Sequence, residues 1–177
     1  MQDYGFERIG RRLFTEHLVG GNFGNISVRD DEGFYIKRTG AYLDDPGDPV
    51  FVPFSGEVPK TASSEYRVHL AVYKKTACRA IVHAHPPYAV AASLVTGEIR
   101  PLDSEGLMFC PLIPVVAGEP GTQGLADAVA GALQRHKLVI AHGHGTFAAG
   151  ATLDEAFQLT SLAEHACRVI AFRKRFL

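Results

Sequence analysis

The sequence predicts one domain in which helices and strands are mixed along the chain, an α/β or α+β fold. Segments with apolar residues at helical spacing alternate with short apolar runs bounded by glycine, proline or aspartate. The 177 residues match one domain of roughly 150 residues, so residues 1–177 are expected to form a single unit. Hydrophobic residues make up 46% of the chain and charged residues 21%, which excludes a disordered or collagen-like chain.

Periodicity and turn-forming residues place the individual elements. Apolar residues at helical spacing predict helices over residues 5–19, 63–76, 86–95, 125–133 and 153–172. The pair Gly20-Gly21 is expected to end the first helix, and Ser63 or Ser64 to cap the second. Short apolar runs predict strands over residues 25–29, 34–37, 50–53, 80–84, 113–116, 138–141 and 146–149.

The charge balance argues against nucleic acid and membrane partners. The chain carries 18 Lys and Arg residues against 19 Asp and Glu, a net charge of −1, so no strong field attracts a polyanion or an anionic lipid surface. No stretch reaches the roughly 20 apolar residues of a membrane span, and the first residues lack the pattern of a signal peptide. The three cysteines form no CxxC pair and are expected to be free thiols. A cytoplasmic protein is the simplest expectation.

Histidines at the ends of two apolar runs indicate a metal site. In His83-Ala84-His85, strand alternation places both imidazoles on one face, about 6.5 to 7 Å apart along the strand. A second pair, His142 and His144, closes another apolar run in the same way. Three neutral imidazoles and one oxygen ligand suit Zn²⁺ or another first-row divalent ion.

Glu65 is the best candidate for the oxygen ligand. It follows the two cap candidates and is expected in the first helical turn, where the helix dipole favours a carboxylate. His69 lies four residues later on the same helix face. It is either a fifth ligand or a residue that packs behind the site.

Three polar segments together suggest a site for a phosphate group. The glycine-rich loop from Gly20 to Asn25 can present backbone N–H groups, and Asn22 is expected nearby. Thr39-Gly40 follows a predicted strand, and Ser63-Ser64 adds two hydroxyls at a helix start. None of these segments contains lysine or arginine, so the expectation is a phosphate held by neutral donors. Neither a GxxxxGK[ST] loop nor a dinucleotide-binding GxGxxG fingerprint is present.

Taken in order, these motifs resemble the class II aldolase and adducin head-domain family over about residues 5–172. The segments that carry the resemblance are Gly24-Asn25-Ile26-Ser27, Thr39-Gly40, Ser63-Ser64-Glu65, His83-Ala84-His85 and His144-Gly145. The resemblance implies a three-layer α/β/α sandwich around a largely antiparallel sheet. It also implies a homotetramer with active sites between neighbouring subunits.

The resemblance further implies roles for individual residues. Zinc would be bound by Glu65, His83, His85 and His144, with Glu65 also acting as the catalytic base. The substrate phosphate would be held by Asn25, Thr39, Gly40, Ser63 and Ser64. The implied reaction cleaves a phosphorylated ketose, of the L-fuculose 1-phosphate type, to dihydroxyacetone phosphate and a small aldehyde such as lactaldehyde through an enediolate.

One segment departs from the family pattern. Aldolases of this type use a tyrosine as a proton donor in the segment that corresponds to residues 101–106, where this chain has Pro-Leu-Asp-Ser-Glu-Gly. Glu105 or Asp103, reaching into a neighbour's site, is the candidate replacement. Two alternatives stay open: a related epimerase, decarboxylase or dehydratase that uses the same metal and phosphate residues, and a non-catalytic adducin-like scaffold.

Overall fold

The computed structural model describes residues 4–176, with Lys174 described by its backbone only; residues 1–3, on which the expectation about a signal peptide depends, and Leu177 lie outside that range. The helices are α1 Phe6–Thr15, α2 Tyr66–Lys75, α3 Pro87–Ser93, α4 Ser104–Phe109, α5 Gln123–Leu133 and α6 Leu153–Arg173, followed by a 3₁₀ turn over Lys174–Phe176. The strands are β1 Asn25–Arg29, β2 Gly33–Ile36, β3 Val50–Pro53, β4 Ala80–Ala84, β5 Glu98–Ile99, β6 Ile113–Val116, β7 Leu138–Ala141 and β8 Gly145–Gly150.

The strands form one sheet in the order β3-β2-β1-β4-β8-β7-β6-β5. Neighbouring strands run antiparallel except β6 and β7, which are parallel. The central strands β4, β7 and β8 are buried along their whole length, because helices cover both faces of the sheet. The sheet is therefore largely antiparallel, as predicted.

Alternating residues of the same strands enter two separate cores. Val82 and Ile140 pack with the apolar faces of α1, α3 and α6 on one side of the sheet. Ile81 and Val139 pack with α2 and α5 on the other side. This arrangement confirms the predicted three-layer α/β/α sandwich.

The predicted and observed elements differ mainly at helix ends. The first helix ends at Thr15 instead of reaching residue 19, because His17 adopts a positive φ of 57° that turns the chain. The two-residue strand β5 and the six-residue helix α4 were not predicted, since both are too short for a periodic pattern. Within residues 4–176, no helix combines the length and the apolar character needed to cross a bilayer.

Candidate active site

Three histidines from two neighbouring strands meet at one end of the sheet. His83 lies on β4, His85 follows that strand directly, and His144 lies in the turn before β8. Since β4 and β8 are paired with His83 opposite Phe147, the turn carrying His144 lies beside the end of β4. One ligand atom from each of the three histidines lies within 4.8 Å of the other two. The grouping therefore follows from the pairing of the two strands.

Glycine at position 145 permits this close approach. A Cβ atom there would lie 2.3 Å from the carbonyl oxygen of Ala84 and 2.9 Å from Cδ2 of His85. The backbone at Ala84 could relieve such a contact only by moving within a close-packed sheet, which is costly. Any larger residue at position 145 would displace β8 from β4, and with it the turn that carries His144.

Hydrogen bonding and burial keep the imidazoles in the form that binds metal ions. The Nδ1–H group of His83 donates to the carbonyl oxygen of Thr146 at 2.9 Å, which leaves a lone pair on Nε2. That atom lies 3.0 Å from Nε2 of His85. Burial, followed by repulsion from His85 and His144, holds the pKa of His83 well below its usual value, and burial lowers the pKa of His85 to about 4. Burial also lowers the pKa of His144, so all three rings are neutral near pH 7.

Two buried polar atoms at this site have no hydrogen-bond partner within the described residues. They are Nδ1 of His144 and Oε2 of Glu65. A buried polar atom without a partner is costly, so native proteins usually satisfy it with a protein group, a water molecule or an ion. Three imidazole nitrogens and one carboxylate suit Zn²⁺ or another first-row divalent cation. The residues at this site therefore fit a divalent cation.

Glu65 approaches the histidines from the start of α2. It occupies the N-cap position, so the expectations that Ser63 or Ser64 caps the helix and that Glu65 lies in its first turn are wrong. Instead, the chain makes a tight turn in which the Glu65 N–H group donates to the Ser63 hydroxyl at 3.4 Å. Burial raises the pKa of Glu65, and a hydrogen bond from the Gly121 backbone partly offsets that rise. Glu65 lines the same pocket as the histidines but lies outside their tight group.

The three histidines open into a polar pocket of about 240 Å³, smaller than the sites that hold drug-sized ligands. Its wall contains all five residues expected to bind phosphate and also Asn22. These five residues are Asn25, Thr39, Gly40, Ser63 and Ser64. The glycine-rich loop closes against β4 at Gly24, where φ is 70° and a Cβ atom would lie 2.7 Å from the His83 carbonyl oxygen. The loop and the histidines therefore form one continuous site.

Comparison with known proteins shows the family of this chain. Residues 6–171 match the family described as Class II Aldolase and Adducin N-terminal domain. The chain belongs to this family. It is a metal-dependent class II aldolase, an enzyme of the carbon–carbon lyase type.

Three relatives illustrate the similarity to the class II aldolases. L-fuculose-1-phosphate aldolase from Thermus thermophilus superimposes with a TM-score of 0.94 at 36% identity, over 97% of this chain and 93% of that one. L-fuculose phosphate aldolase from Methanococcus maripaludis is 30% identical over 164 residues, 90% of each chain. YgbL from Klebsiella pneumoniae, whose description leaves open an aldolase, an epimerase or a decarboxylase, has a TM-score of 0.85 at 32% identity, over 94% of this chain and 86% of that one.

Lys37 is a residue of this class II aldolase that the sequence motifs did not indicate. It follows β2, is 3% exposed and lines the pocket. Its Nζ atom donates to the carbonyl oxygens of Asn22 at 2.8 Å and Ala41 at 2.6 Å. The wall of the pocket therefore contains a cationic group as well as the neutral donors that the motifs indicated. Burial lowers the pKa of Lys37 to about 8.

Three other candidate residues lie away from the pocket. His142 is exposed and lines a different depression, beside Ser93, because the turn between β7 and β8 separates it from His144. Asp103 caps α4 by accepting a hydrogen bond from the Gly106 N–H group at 2.9 Å. Glu105 is exposed on α4 and does not line the pocket of its own chain.

Proposed function

We propose that this enzyme is an aldolase that cleaves a phosphorylated ketose of the L-fuculose 1-phosphate type to dihydroxyacetone phosphate and a small aldehyde such as lactaldehyde. The observation that carries the proposal is the shared pocket. A group of three neutral imidazoles and a buried carboxylate opens directly into a recess with amide, hydroxyl and ammonium donors. Such a site can hold a cation and a phosphate of one small substrate at the same time.

The phosphate group of the substrate would lie among Asn25, Thr39, Gly40, Ser63 and Ser64. Amide, hydroxyl and backbone N–H groups can surround a phosphate with donors. The Lys37 ammonium group adds a positive charge, and its hydrogen bonds to two carbonyl oxygens fix its position at the pocket wall. The phosphate would thereby anchor the substrate so that its carbonyl end reaches the histidines.

The carbon–carbon bond would break beside Glu65. When bound by Glu65, His83, His85 and His144, Zn²⁺ supplies a Lewis acid that stabilises negative charge on the substrate's carbonyl and hydroxyl oxygens. The electrons of the broken bond would pass to the three-carbon fragment as an enediolate. Glu65, released from the metal position by the substrate and carrying a proton taken from solvent, would donate that proton to the reacting carbon. Burial raises the pKa of Glu65, which favours the acid form needed for this step over what an exposed carboxyl group would have.

Cleavage also requires a base that takes the proton from the substrate hydroxyl group whose oxygen becomes the aldehyde oxygen and then passes it to solvent. We propose that Glu105 of a neighbouring subunit does this in a homotetramer. The support is its position on α4, an exposed helix in a chain that has several large apolar side chains at its surface. These are Leu94, Val95, Leu102, Leu107, Met108 and Phe109. Burial of such a group between subunits is typical of oligomers, and light scattering would give the mass of the assembly.

Glu105→Gln should lower turnover by about 100-fold, a typical loss for one proton-transfer group. Metal content and the affinity for dihydroxyacetone phosphate should remain unchanged, because the oxygen on which Glu105 would act belongs to the aldehyde fragment and not to dihydroxyacetone phosphate. Steady-state kinetics of aldehyde addition measure the effect. The exposed Glu98, replaced in the same way, is the matched control. Unchanged turnover in Glu105→Gln would remove Glu105 from the mechanism.

Phosphate affinity should fall as the pH rises through about 8. The pKa of Lys37, lowered by burial to about 8, means that the ammonium group loses its proton while a phosphate monoester such as dihydroxyacetone phosphate, with a second pKa of about 6, stays a dianion. The dissociation constant of dihydroxyacetone phosphate, measured by calorimetry, should rise about tenfold between neutral pH and a pH one unit above the lysine pKa. Lys37→Gln should bind weakly with a flat profile. Lys74→Gln, an exposed control with the same charge change, should retain the wild-type profile.

A substrate panel tests the proposed reaction. The zinc-reconstituted protein would be incubated with L-fuculose 1-phosphate and with L-ribulose 5-phosphate, and released dihydroxyacetone phosphate would be measured with a coupled reductase. Release from fuculose phosphate supports the proposal. Conversion of ribulose phosphate without release of a three-carbon fragment would favour an epimerase, one of the activities left open for the Klebsiella relative.

A further inference from the structure

A chain of four buried side chains connects the core to the pocket. Asn25 and Ser27 alternate on one face of β1, and His69 and Tyr73 lie one turn apart on the facing side of α2. The Tyr73 hydroxyl lies 2.7 Å from Ser27 Oγ, which lies 2.6 Å from His69 Nδ1. Nε2 of His69 lies 2.5 Å from Oδ1 of Asn25. All four side chains are buried, with His69 0% exposed.

The tyrosine sets the direction of these hydrogen bonds. In the described part of the chain, Ser27 Oγ is the one acceptor within reach of the Tyr73 hydroxyl, and a buried O–H group without an acceptor is costly. Tyr73 therefore donates to Ser27, and Ser27 donates to Nδ1 of His69. The proton of the neutral imidazole is thereby placed on Nε2, which donates to Oδ1 of Asn25. Burial lowers the pKa of His69 to about 3, so the ring stays neutral.

This direction fixes which end of the Asn25 amide faces the ligand. Oδ1 is held by His69, so the NH₂ group is left for the pocket, and it has no hydrogen-bond partner among residues 4–176. In the reverse arrangement, the NH₂ group would donate to His69 and the carbonyl oxygen would face the pocket. A carbonyl oxygen repels a phosphate, whereas an NH₂ group donates to it.

We propose that His69 is a positioning residue: held in its Nε2–H tautomer by Ser27 and Tyr73, it orients the Asn25 amide as a hydrogen-bond donor to the substrate phosphate. The inference rests on the proposed function, because it takes Asn25 as a phosphate ligand. It assigns His69 a role as a donor to Asn25, instead of the fifth metal ligand that the sequence left open.

Nitrogen NMR of the full-length protein labelled at histidine reads the tautomer directly. The expected spectrum shows His69 protonated on Nε2 and unchanged between about pH 5.5 and pH 8. Replacing Ser27 by alanine together with Tyr73 by phenylalanine removes both hydroxyls with little change of shape, and should give a mixture of tautomers. A His69 ring protonated on Nδ1 in the wild-type protein would overturn the inference.

A phosphate-binding measurement tests whether His69 strengthens the phosphate site through Asn25. It uses inorganic phosphate and the full-length protein purified without added metal. His69→Phe should raise the dissociation constant about tenfold, as loss of one hydrogen bond to a charged group does. Asn25→Ala should weaken binding by a similar factor, and His69→Phe added to Asn25→Ala should weaken it no further. Val72→Ala, which removes buried volume from the same helix, should leave phosphate binding unchanged.

The variants test the phosphate site at Asn25 and the positioning role of His69 separately. If Asn25→Ala and the wild-type protein bind phosphate equally, both the phosphate site and the role of His69 are overturned. If Asn25→Ala weakens binding but His69→Phe does not, the phosphate site stands and His69 has only a packing role. If the two substitutions weaken binding additively, His69 does not act through Asn25.

Discussion

His144→Ala is expected to abolish tight metal binding and, with it, aldolase activity. His144 provides one of three ligand atoms that lie within 4.8 Å of one another. Loss of residues that only support a metal ligand already weakens metal binding by about 10- to 100-fold, so loss of a ligand should weaken it by more. Metal content after dialysis, measured by plasma mass spectrometry, and the zinc dissociation constant, measured by competition with a chelator, check the prediction.

The same turn supplies a matched control. His142 lies two residues away, is exposed and faces a different depression, so His142→Ala should keep both the metal and the activity. His83→Ala should also lose the metal. It should lower thermal stability as well, because it removes a buried ring whose centroid lies 4.0 Å from the centroid of the Phe147 ring in a stacked arrangement. Equal metal content in the His142 and His144 variants would exclude His144 as a ligand.

Glu65→Gln is expected to lower kcat by about 10²- to 10⁴-fold, the usual contribution of a positioned acid or base. Glutamine keeps the size of the side chain but can neither take up nor release the proton at the reacting carbon. The affinity for inorganic phosphate should change little, since the phosphate would lie among the amide and hydroxyl groups of the pocket. Steady-state kinetics with fuculose phosphate and calorimetry with phosphate measure the two quantities.

Ser64, the neighbour of Glu65, provides the opposite control. Its side chain lines the pocket and is exposed there, so Ser64→Ala should raise KM with little effect on kcat. The reverse ordering, with KM raised by Glu65→Gln and kcat lowered by Ser64→Ala, would mean that the two roles have been exchanged. Zinc content of both variants distinguishes a lost proton transfer from a lost metal ion.

The strands that position the site could be predicted because their sequences are short apolar runs. Ala80–Ala84 and Leu138–Ala141 have the predicted bounds. The order of the strands in the sheet could not be predicted from such runs, since any two of them could pair. The two HxH segments look alike in sequence. The first continues strand β4 and ends one residue beyond it, whereas the second spans a turn, and His142 and His144 line different pockets.

Pocket residues that belong to a local motif could be predicted from the sequence. The prediction missed a residue whose burial depends on segments distant in the chain. Thr39-Gly40 and Ser63-Ser64 are recognisable from the chain itself. Lys37 is not, because an isolated lysine at a strand end is usually exposed. It is buried here since the loops at Asn22 and Ala41 provide two carbonyl acceptors. The role proposed for His69 likewise depends on a distant contact, the side-chain hydrogen bonds between α2 and β1.

One cation and one phosphate should lie side by side in a single recess of this enzyme. Anomalous diffraction at the zinc edge, from crystals of the zinc-loaded protein grown with inorganic phosphate, tests this directly. The predicted map has one strong peak at about 2.0 to 2.1 Å from nitrogens of His83, His85 and His144, with phosphate density beside Asn25 and Lys37. Zinc bound elsewhere, or no zinc among these histidines, would contradict the proposed site.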